Sequence, residues 1–536
     1  MLRWLAVALL ALVALVAALV AVIVSPWWWI AAGPLLFLAA VAVHDLVQIR
    51  HSVMRNYPII GHLRFMLEEI RPEIQQYFVE SATSGTPYDR ETRDLVYDRA
   101  KGNKGEEPFG TERDVTAVGY EFVAHSLRAR HADGTIPRVR LGGPACTQPY
   151  DMALLNVSAM SFGSLSGNAI EALNAGAAMG GFAHDTGEGS ISPYHLKHGG
   201  DLIWEIASGY FGCRTPDGHF NPERFAERAA LPSVKAISIK LSQGAKPGLG
   251  GLLPGAKVTQ EIAETRGVEI GETIVSPPTH NAFDTPRELI QFIEQLRELS
   301  GGKPVGFKLC IGSRREFLAV CKAMVERGSY PDFIIVDGSE GGTGAGPVEF
   351  EDNVGMPLTE ALMFVHNALV GSGVRDYVRI GASGKIATGA DMVKRLCQGA
   401  DFTMAARAMM FAIGCIQAQK CHTNHCPVGV ATQDPARARA LVVSDKSVRV
   451  RNFQALTVAS AAQIVASMGL DSFADLTPRK LFRRVDPHVT KTYADLYTWL
   501  TPGQLLTDPP QAWSRDWRLA DPGDFRPLAD DAPAGF

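Results

Sequence analysis

Three cysteines close together carry the clearest chemical signal in this chain of 536 residues. Cys415, Cys421 and Cys426 have the spacing C-x5-C-x4-C, and Pro427 follows the last of them. Cysteine thiolates are the ligands of iron–sulfur clusters, and a proline after the final cysteine recurs in such sites. Three protein ligands suit a [3Fe–4S] cluster, or a cluster with one foreign ligand.

Two other interpretations of this segment stay open from the residues alone. One is zinc bound by the three thiolates together with His422 or His425. The other is a chance group of free thiols. The remaining cysteines are scattered, several of them in apolar runs, and we expect small buried side chains in a reducing compartment. They are Cys146, Cys213, Cys310, Cys321 and Cys397.

Glycine-rich segments between residues 341 and 407 form a second candidate group. Glycine lets backbone N–H groups approach an anion closely, and the loops after the last two strands of a (β/α)8 barrel customarily bind phosphate. Ordinary tight turns are the alternative. The residues concerned are Gly341, Gly342, Thr343, Gly381, Ser383, Gly384, Ala406 and Arg407.

Three lysines, Lys240, Lys246 and Lys308, form a third candidate group at the ends of predicted strands and in the adjoining loop. A reduced flavin develops negative charge around N1 and O2, and a dicarboxylic substrate also needs cations. Solvated lysines at loop ends are the alternative. That alternative is less attractive for Lys240 and Lys308, because each ends an apolar run.

The elements that would position these residues alternate from Asp151 onward between short β-branched runs and helical stretches, which is typical of a parallel sheet. Eight strands are predicted, at 154–159, 182–186, 236–240, 272–275, 305–309, 333–336, 378–380 and 402–405. Helices between them include 285–299, 314–327 and 358–369. We therefore predict an α/β fold with a closed (β/α)8 barrel. An open doubly wound sheet is the alternative, but no G-x-G-x-x-G follows an early strand.

Function in such a barrel collects where the strands end. Besides the groups above, these ends hold further candidate site residues at or after the first three predicted strands. They are Ser158, Met160, Ser161, Glu188 and Gln243.

The N-terminal segment has the composition of membrane-spanning helices. Residues 2–24 carry one charge, Arg3, and are long enough to cross the roughly 30 Å hydrocarbon core. An aromatic cluster at 27–29 and a second apolar run at 30–43 follow, and then basic residues at 50–55. We predict a hairpin at 1–45 in a bacterial cytoplasmic membrane, with the catalytic domain on the cytoplasmic side. One span plus an interfacial helix is the alternative, and a signal peptide fits less well because the run is longer than its apolar region.

The rest of the chain divides into three predicted parts. Residues 46–140 connect the hairpin to the barrel, pack on it and include a helix at 63–79; the barrel occupies 141–435. Residues 436–536 form an extension with helices at 447–467 and 471–484 and a loosely ordered tail from Thr507. With 52 basic and 56 acidic residues, the charge balance gives no case for a nucleic-acid partner.

Seven segments resemble, in order, the FMN-binding synthase domain of glutamate synthases. The hairpin, followed by Arg55-Asn-Tyr-Pro-Ile-Ile-Gly-His62, is similar to the stand-alone bacterial members of that family. The seven segments are Ser158-Ala-Met-Ser-Phe-Gly-Ser164, Thr186-Gly-Glu-Gly189, Ala207-Ser-Gly-Tyr-Phe-Gly212, Ser242-Gln-Gly-Ala-Lys-Pro-Gly248, Ser276-Pro-Pro278, Gly341-Gly-Thr-Gly-Ala345 and Lys420-Cys-His-Thr-Asn-His-Cys-Pro-Val-Gly-Val-Ala-Thr-Gln433.

This resemblance implies cofactors and roles for the candidate residues. It implies FMN, held by Lys308 and Gln243 with the strand-end serines, Met160, the glycine loops and Arg407, and a [3Fe–4S] cluster on the three cysteines. Lys240 and Lys246 would bind substrate carboxylates, and Glu188 would orient polar groups. The implied reaction is hydride transfer to the imine of a 2-oxo acid, which makes glutamate from 2-oxoglutarate and ammonia. A separate protein would donate the electrons, and a homo-oligomer is compatible with this scheme.

The chain departs from the family pattern in three respects. We find no glutaminase domain and no cysteine at position 2, and Leu249 and Leu252 stand where glutamate synthases carry Glu and Gln. The segment Cys310-Ile-Gly-Ser-Arg-Arg315 also differs. A second hypothesis is therefore a membrane-linked FMN and iron–sulfur oxidoreductase with another substrate and a quinone or protein electron partner. A third is a structural protein with vestigial cofactor sites.

Overall fold

The computed structural model describes residues 2–132 and 134–525 and divides into two compact units between Pro87 and Tyr88. The division falls inside the segment predicted to connect hairpin and barrel. Each unit has its own packing and is described separately.

The first unit consists of helices, two of which form a hairpin. Its helices are Leu2–Ile23, Trp29–Val47, Ser52–Asn56 and Gly61–Ile74, and the last continues as the π-turn Gln75–Val79. This confirms the helix predicted at 63–79. Small residues at Ala17, Ala21 and Ala32 let the hairpin helices approach closely. Asp45 ties the following segment to the hairpin, because its carboxylate accepts from the Ile59 N–H at 2.9 Å and contacts His62 Nε2 at 3.0 Å.

Two helical segments of this unit, Arg3–Ile23 and Pro26–Val47, are long and apolar enough to cross a membrane. The two helices meet this description by their length and composition. A signal sequence and a buried helix of a soluble protein meet the same criteria.

The second unit is built on a closed barrel of eight parallel strands, which confirms the predicted (β/α)8 fold. In chain order the strands are Leu155–Val157, His184–Asp185, Leu202–Ile206, Val234–Lys240, Val305–Leu309, Phe333–Asp337, Arg379–Ser383 and Phe402–Ala405. We number them one to eight. The barrel interior and the layer beneath the helices are apolar, as expected for strands buried on both faces.

Helices around the barrel begin at residues that can cap a helix. Side chains of Ser166, Thr285 and Ser313 each accept a hydrogen bond from the N–H three residues on, which satisfies an otherwise unpaired donor. The predicted helices at 285–299, 314–327 and 358–369 are confirmed within two residues. The larger helices of this unit are Arg90–Lys101, Gly167–Gly180, Pro222–Ala229, Gln260–Arg266, Pro286–Leu299, Arg314–Arg327, Leu358–Gly371, Gly389–Cys397, Val443–Ser467 and Gln511–Leu519.

One of the eight strands was predicted at the wrong place. Barrel strand three is Leu202–Ile206, whereas the predicted strand at 272–275 is reduced to Ile274–Val275, which pairs with Leu252–Leu253 outside the barrel. The true strand was missed because Glu205 interrupts its apolar run. That charge is tolerated inside the barrel because Lys308 neutralises it.

The C-terminal extension contains the predicted long helix, here Val443–Ser467. It crosses the helix Gly167–Gly180 closely, since a Cβ on Gly176 would lie 2.6 Å from Val450 Cβ. The helix predicted at 471–484 was wrong: short 3-10 turns precede the strand Leu481–Asp486. This strand pairs with Glu121–Val123 and Val489–Thr492, and its Phe482 stacks on Phe122 of the neighbouring strand with ring centroids 5.3 Å apart.

The tail predicted to be loose from Thr507 is ordered as far as Phe525. The helix Gln511–Leu519 packs on the helix Arg314–Arg327 through a buried Trp513. Arg314 lies 4.7 Å from the Trp513 ring and pairs with Asp516 at 3.0 Å. The prediction failed because it weighed the prolines and aspartates above the tryptophans. Residues 526–536 lie outside the described residues.

Candidate functional site

The C-terminal ends of the barrel strands bring most of the predicted site residues to one rim. Strands four and five pair in register at Lys240 and Lys308, so these two lysines are neighbours. Lys246 lies in the loop after strand four, and Glu188 in the loop after strand two. All four side chains are buried or nearly so.

Lys308 belongs to a buried group of charges inside the barrel. Its Nζ donates to Glu205 of strand three, and Asp185 of strand two lies nearby. Burial opposes the charge on Lys308, but the attraction of Glu205 is the largest opposing cause, and the pKa of Lys308 is held above its usual value. This ammonium therefore stays charged beneath the centre of the barrel mouth.

Asp185 is the third member of this group. Its Oδ1 accepts from the Gly187 N–H at 3.0 Å, whereas no hydrogen-bond partner of its buried Oδ2 is present in the described part of the chain. Burial, and then repulsion by Glu205, raises the pKa of Asp185 to about 8. Asp185 is thus protonated at neutral pH, and the group consists of one neutral acid and one ion pair.

Glu188 lies among three cations at the rim. Its Oε2 is 3.1 Å from Lys240 Nζ, and burial alone would favour the neutral acid. The charges of Lys240 and Arg266 outweigh burial and lower the pKa of Glu188. Burial lowers the pKa of Lys246, and Lys240 adds to this effect, while Glu188 opposes it. The arrangement leaves an excess of positive charge, which suits a carboxylate ligand.

A hydrogen-bonded chain fixes the position of Lys240. The Tyr210 hydroxyl lies 2.9 Å from His280 Nδ1, and His280 Nε2 lies 2.9 Å from the Lys240 carbonyl oxygen. Because the Lys240 carbonyl can only accept, Nε2 carries the proton and Tyr210 donates to Nδ1. Tyr210 and His280 are both buried, so this chain is shielded from water.

The loop after strand four packs directly against the loop after strand six. A Cβ on Gly244 would lie 1.8 Å from the Gly338 carbonyl oxygen, and the Gly244 N–H donates to Asp337 Oδ2 at 2.8 Å. Gln243 lies half-buried in the same loop. Beside them, Gly341 and Thr343 are half-buried and Gly342 lies against Arg407, whose Nε would be 2.8 Å from a Cβ at that position. The absence of a side chain at Gly342 therefore lets the Arg407 guanidinium approach the loop backbone closely.

The ends of strands seven, eight and one meet on the other side of the rim. Ser158 Oγ and Ser383 Oγ are 3.3 Å apart and buried, and Met160 is buried next to them in sequence. Arg407, directly after Ala406, donates to the Glu340 carbonyl oxygen at 2.7 Å and lies 5.1 Å from the Tyr88 ring. These contacts hold the guanidinium at the rim.

Two of the predicted glycines in this region differ in their setting. Gly384 follows strand seven with φ +146°, a conformation that favours glycine. Gly381 lies inside strand seven, where a Cβ would be 2.6 Å from the Phe402 ring, so it serves the packing of the barrel. Ser161 is held by the neighbouring loop, because a Cβ on Gly187 would lie 2.7 Å from its N–H nitrogen.

The three cysteines lie in residues 415–426, a segment whose backbone and side chains are held by hydrogen bonds to other parts of the unit. Gln417 exchanges side-chain hydrogen bonds with the Tyr88 backbone, and the Tyr97 hydroxyl donates to the Cys415 carbonyl at 2.7 Å. Gln417, Gln419 and Asn424 adopt positive φ, which costs free energy and is kept only where surrounding contacts hold it. We call this segment the cysteine loop.

The three thiols are close enough to influence one another. Burial raises the pKa of Cys415 to about 12, and the charges of Cys421 and Cys426 add to this effect. Burial, and then Cys426, raises the pKa of Cys421 as well. His422 and His425 are exposed, away from this buried group.

The donor set at the cysteine loop is compatible with an iron–sulfur cluster, because such clusters take cysteine thiolates and His422 and His425 are exposed. Across residues 2–132 and 134–525, no group of three or more Cys, His, Asp or Glu side chains is already arranged to hold a metal ion.

The loop after strand one, residues 158–164, connects the glycine loops with the cysteine loop. Ser158 at its start contacts Ser383, and the carbonyl of Ser164 at its end accepts from the buried Lys257 at 2.9 Å. The Gly163 carbonyl accepts from Gln433, just beyond the cysteine loop, at 2.9 Å. Since the Gln433 N–H donates to Asn424 Oδ1 of the cysteine loop at 2.7 Å, the segment 158–164 is linked to both candidate cofactor regions.

Sequence reasoning missed five charged residues of the site. Asp185 and Glu205 were hidden because one lies in a very short strand and the other in the strand that was not predicted. Lys385 could have been found from the sequence, since it follows Ser383-Gly384 directly. In the structure it has φ +50°. Burial and the charge of Arg407 lower its pKa, so these two cations lie close together. Lys257 and Arg266 lie in a region without a recognisable pattern.

Comparisons with known proteins agree with this geometry. A family model described as the conserved region in glutamate synthase matches residues 150–471. The glutamate synthase large subunit-like protein YerD of Bacillus subtilis is 37% identical over 498 residues, covering 85% of this chain and 94% of YerD. The archaeal-type glutamate synthase [NADPH] of Thermotoga neapolitana is 34% identical over 333 residues. That alignment covers 62% of each chain, so the match to this relative is partial.

Proposed function

The chain belongs to the glutamate synthase family, and on that premise we propose that it is an oxidoreductase that uses FMN and a [3Fe–4S] cluster to aminate a 2-oxo acid reductively. Relatives that carry the name glutamate synthase are oxidoreductases. The observation that carries the proposal is the loop 158–164, which contacts the glycine-lined rim at Ser158 and is linked to the cysteine loop through Gln433, since Gln433 donates to both the Gly163 carbonyl and Asn424 Oδ1.

The residues at the rim fit FMN. Gly244 and Gly342 allow the loops after strands four and six and the Arg407 guanidinium to pack closely at the rim, and Arg407 with Lys385 offers positive charge where a phosphate group would bind. Lys308 would stabilise negative charge near N1 and O2 of the ring, with Gln243 as a further polar contact. When bound, FMN supplies a hydride and the cluster supplies electrons one at a time.

The residues around Glu188 would bind the substrate. Lys240 and Lys246 would hold the carboxylates of a 2-oxo acid, and Glu188 would orient the ammonium-derived nitrogen. In the overall reaction the 2-oxo acid and ammonia lose water to form an imine. The imine then gains a hydride at carbon and a proton at nitrogen to give the amino acid.

The proposed partners follow from this reaction. Ammonia is the nitrogen source, and a separate protein delivers electrons to the cluster. The two apolar helical segments of the first unit support attachment to the cytoplasmic membrane, with the barrel on the cytoplasmic side.

Two leucines favour a second candidate, an oxidoreductase with a different substrate and a quinone or protein partner at the membrane. Leu249 and Leu252 are 40% and 42% exposed. Their loop touches the proposed substrate group, because a Cβ on Gly251 would lie 2.1 Å from Glu188 Oε1. Apolar side chains there suit a substrate less polar than 2-oxoglutarate.

Anaerobic mixing separates the two candidates. The purified, photoreduced protein in detergent is mixed with ¹⁵N-ammonium and 2-oxoglutarate, and flavin absorbance and ¹⁵N-glutamate are measured. Rapid reoxidation with labelled glutamate supports the synthase. Reoxidation by a short-chain quinone but not by the 2-oxo acid supports the second candidate and contradicts the first.

A further inference from the structure

Lys257 is a buried ammonium at the cysteine loop to which the proposed reaction assigns no task. It ends the short turn Gly255–Lys257, and 2% of its surface is exposed. Its Nζ donates to the Ser164 carbonyl oxygen at 2.9 Å. A lysine that is fully buried needs an anion nearby, because desolvating a charge is costly.

The backbone around Lys257 fixes it beside the cysteines. The Ala256 carbonyl accepts from Asn424 Nδ2 at 3.5 Å, and Asn424 lies between Cys421 and Cys426 in the chain. Val258 on its other side is buried in the main core. Since the turn is held at both ends, the ammonium cannot swing out into solvent without disrupting it.

The anions that act on Lys257 are sulfurs. Within the described residues no Asp or Glu forms an ion pair with it, and burial lowers its pKa to about 8 against the opposing charges of Cys421 and Cys426. Two other buried cations of this barrel, Lys308 and Arg297, have carboxylate partners in Glu205 and Asp332. Lys257 therefore depends on whatever negative charge the cysteine loop carries.

We propose that Lys257 is the counter-charge of the iron–sulfur cluster and raises its reduction potential. This role rests on the proposed function, because it requires the cluster. A cluster bound by three thiolates carries net negative charge, and each added electron increases it. A fixed positive charge nearby stabilises the reduced form more than the oxidised form, and net charge is one of the factors that set such potentials.

Lys257 is also hydrogen-bonded to the loop that leads to the proposed flavin site. Its hydrogen bond is to residue 164, the end of the loop that reaches Ser158 at the flavin rim. A cluster poised at a higher potential accepts an electron more readily from an external donor. Lys257 is thus a positioning residue for electron entry and touches no substrate.

The test is a redox titration followed by EPR on the full chain with FMN and cluster, for wild type, Lys257→Gln and Lys257→Arg. We expect the ratio of reduced to oxidised cluster at a fixed potential to fall about tenfold in Lys257→Gln, or 59 mV for one electron, and to be nearly unchanged in Lys257→Arg. Lys303→Gln is the matched control: Lys303 is also buried and donates to a backbone carbonyl, that of Leu231 at 3.1 Å, at the opposite end of the barrel.

The outcomes distinguish this role from the proposed function. If Lys257→Gln keeps its cluster and the ratio is unchanged, the counter-charge role is contradicted while the proposed function stands. If Lys257→Gln fails to assemble a cluster at normal FMN content and Lys257→Arg assembles one, the requirement for charge is supported; failure of both contradicts it. A wild-type chain without any cluster signal contradicts the proposed function itself.

Discussion

Asp185, Glu205 and Lys308 bear on how the barrel would tune a bound flavin. A lysine beneath the flavin ring stabilises negative charge on the reduced form. Here Glu205 already neutralises much of that charge, since Lys308 donates directly to it. The carboxylate of Glu205 therefore sets how much positive charge the flavin would experience.

Replacing Glu205 tests this at the residue scale. In the double variant Glu205→Gln, Asp185→Asn the charge of Lys308 is unopposed, because Asp185 can no longer ionise in place of Glu205, so we expect the flavin midpoint potential to rise by about 30 mV or more, a tenfold change for two electrons. The potential is measured by spectrophotometric titration. Glu171→Gln is the control, because Glu171 is also buried and paired, with Lys197 at 2.8 Å, but lies on a helix outside the barrel. A potential that shifts equally in both variants, or in neither, would contradict the tuning role.

The raised pKa of Asp185 makes a prediction about stability and pH. An acid with a folded pKa of about 8 and an unfolded value of 3.8 binds its proton more tightly in the folded state. Its stabilisation is complete below about pH 4 and is lost as pH rises through 8, by up to about 1.4 kcal/mol per pH unit. In Asp185→Asn this loss is absent, so the melting temperature of the variant relative to wild type should climb from pH 5 to pH 8. A difference that is constant over this range would show that Asp185 is ionised in the folded protein.

At the scale of elements, the contact between two loops shapes the proposed flavin site. The loops after strands four and six touch at Gly244 and Gly338 without any side chain between them. A methyl group there must push the loops apart, at a cost of roughly 1–3 kcal/mol.

Gly244→Ala should therefore weaken flavin binding at least tenfold without unfolding the barrel. Fluorescence of released flavin measures the binding, and circular dichroism measures the fold. Gly312→Ala is the matched control, because Gly312 lies in the loop after strand five and a Cβ there meets nothing within 4 Å. Equal flavin affinity in Gly244→Ala and wild type would mean that the flavin binds elsewhere.

The elements that were predictable share a local signal. The helices at Pro286–Leu299 and Arg314–Arg327 have capping residues and a continuous apolar stripe, and both were predicted within two residues. Strand three was not predicted, because a charged Glu205 inside a barrel strand is explained only by its contact with Lys308, 103 residues later. The same limit applies to Lys257, whose partner carbonyl and cysteines are distant in the chain and adjacent only in the fold.

At the scale of the whole molecule, the chain divides at Pro87, between a helical unit with two apolar helices and a barrel unit with its own core. The alternation of strands and helices that predicted the barrel, and the seven segments that resemble the family, all lie in the second unit, whereas the first unit was classified by hydropathy and by the segment Arg55–His62. Apolar composition alone does not distinguish a membrane anchor from other apolar helices.

Deleting residues 1–87 tests this division. We expect the shortened chain to move from the membrane fraction to the soluble fraction and to keep its flavin and cluster, since the residues proposed to bind both begin at Ser158. Fractionation and visible spectra measure the two properties. A full-length chain that is already soluble without detergent would contradict the membrane anchor, and loss of the flavin on deletion would contradict the independence of the barrel.

The central claim is that one barrel mouth holds both FMN and an iron–sulfur cluster. An anaerobic reductive titration of the purified full chain, followed by visible absorbance and EPR, tests it directly. The account predicts uptake of about three electrons per chain, two by the flavin and one by the cluster, with a cluster signal that is lost in Cys421→Ser while the flavin remains. Uptake of two electrons without a cluster signal in the wild-type chain, or a signal that persists in Cys421→Ser, would contradict it.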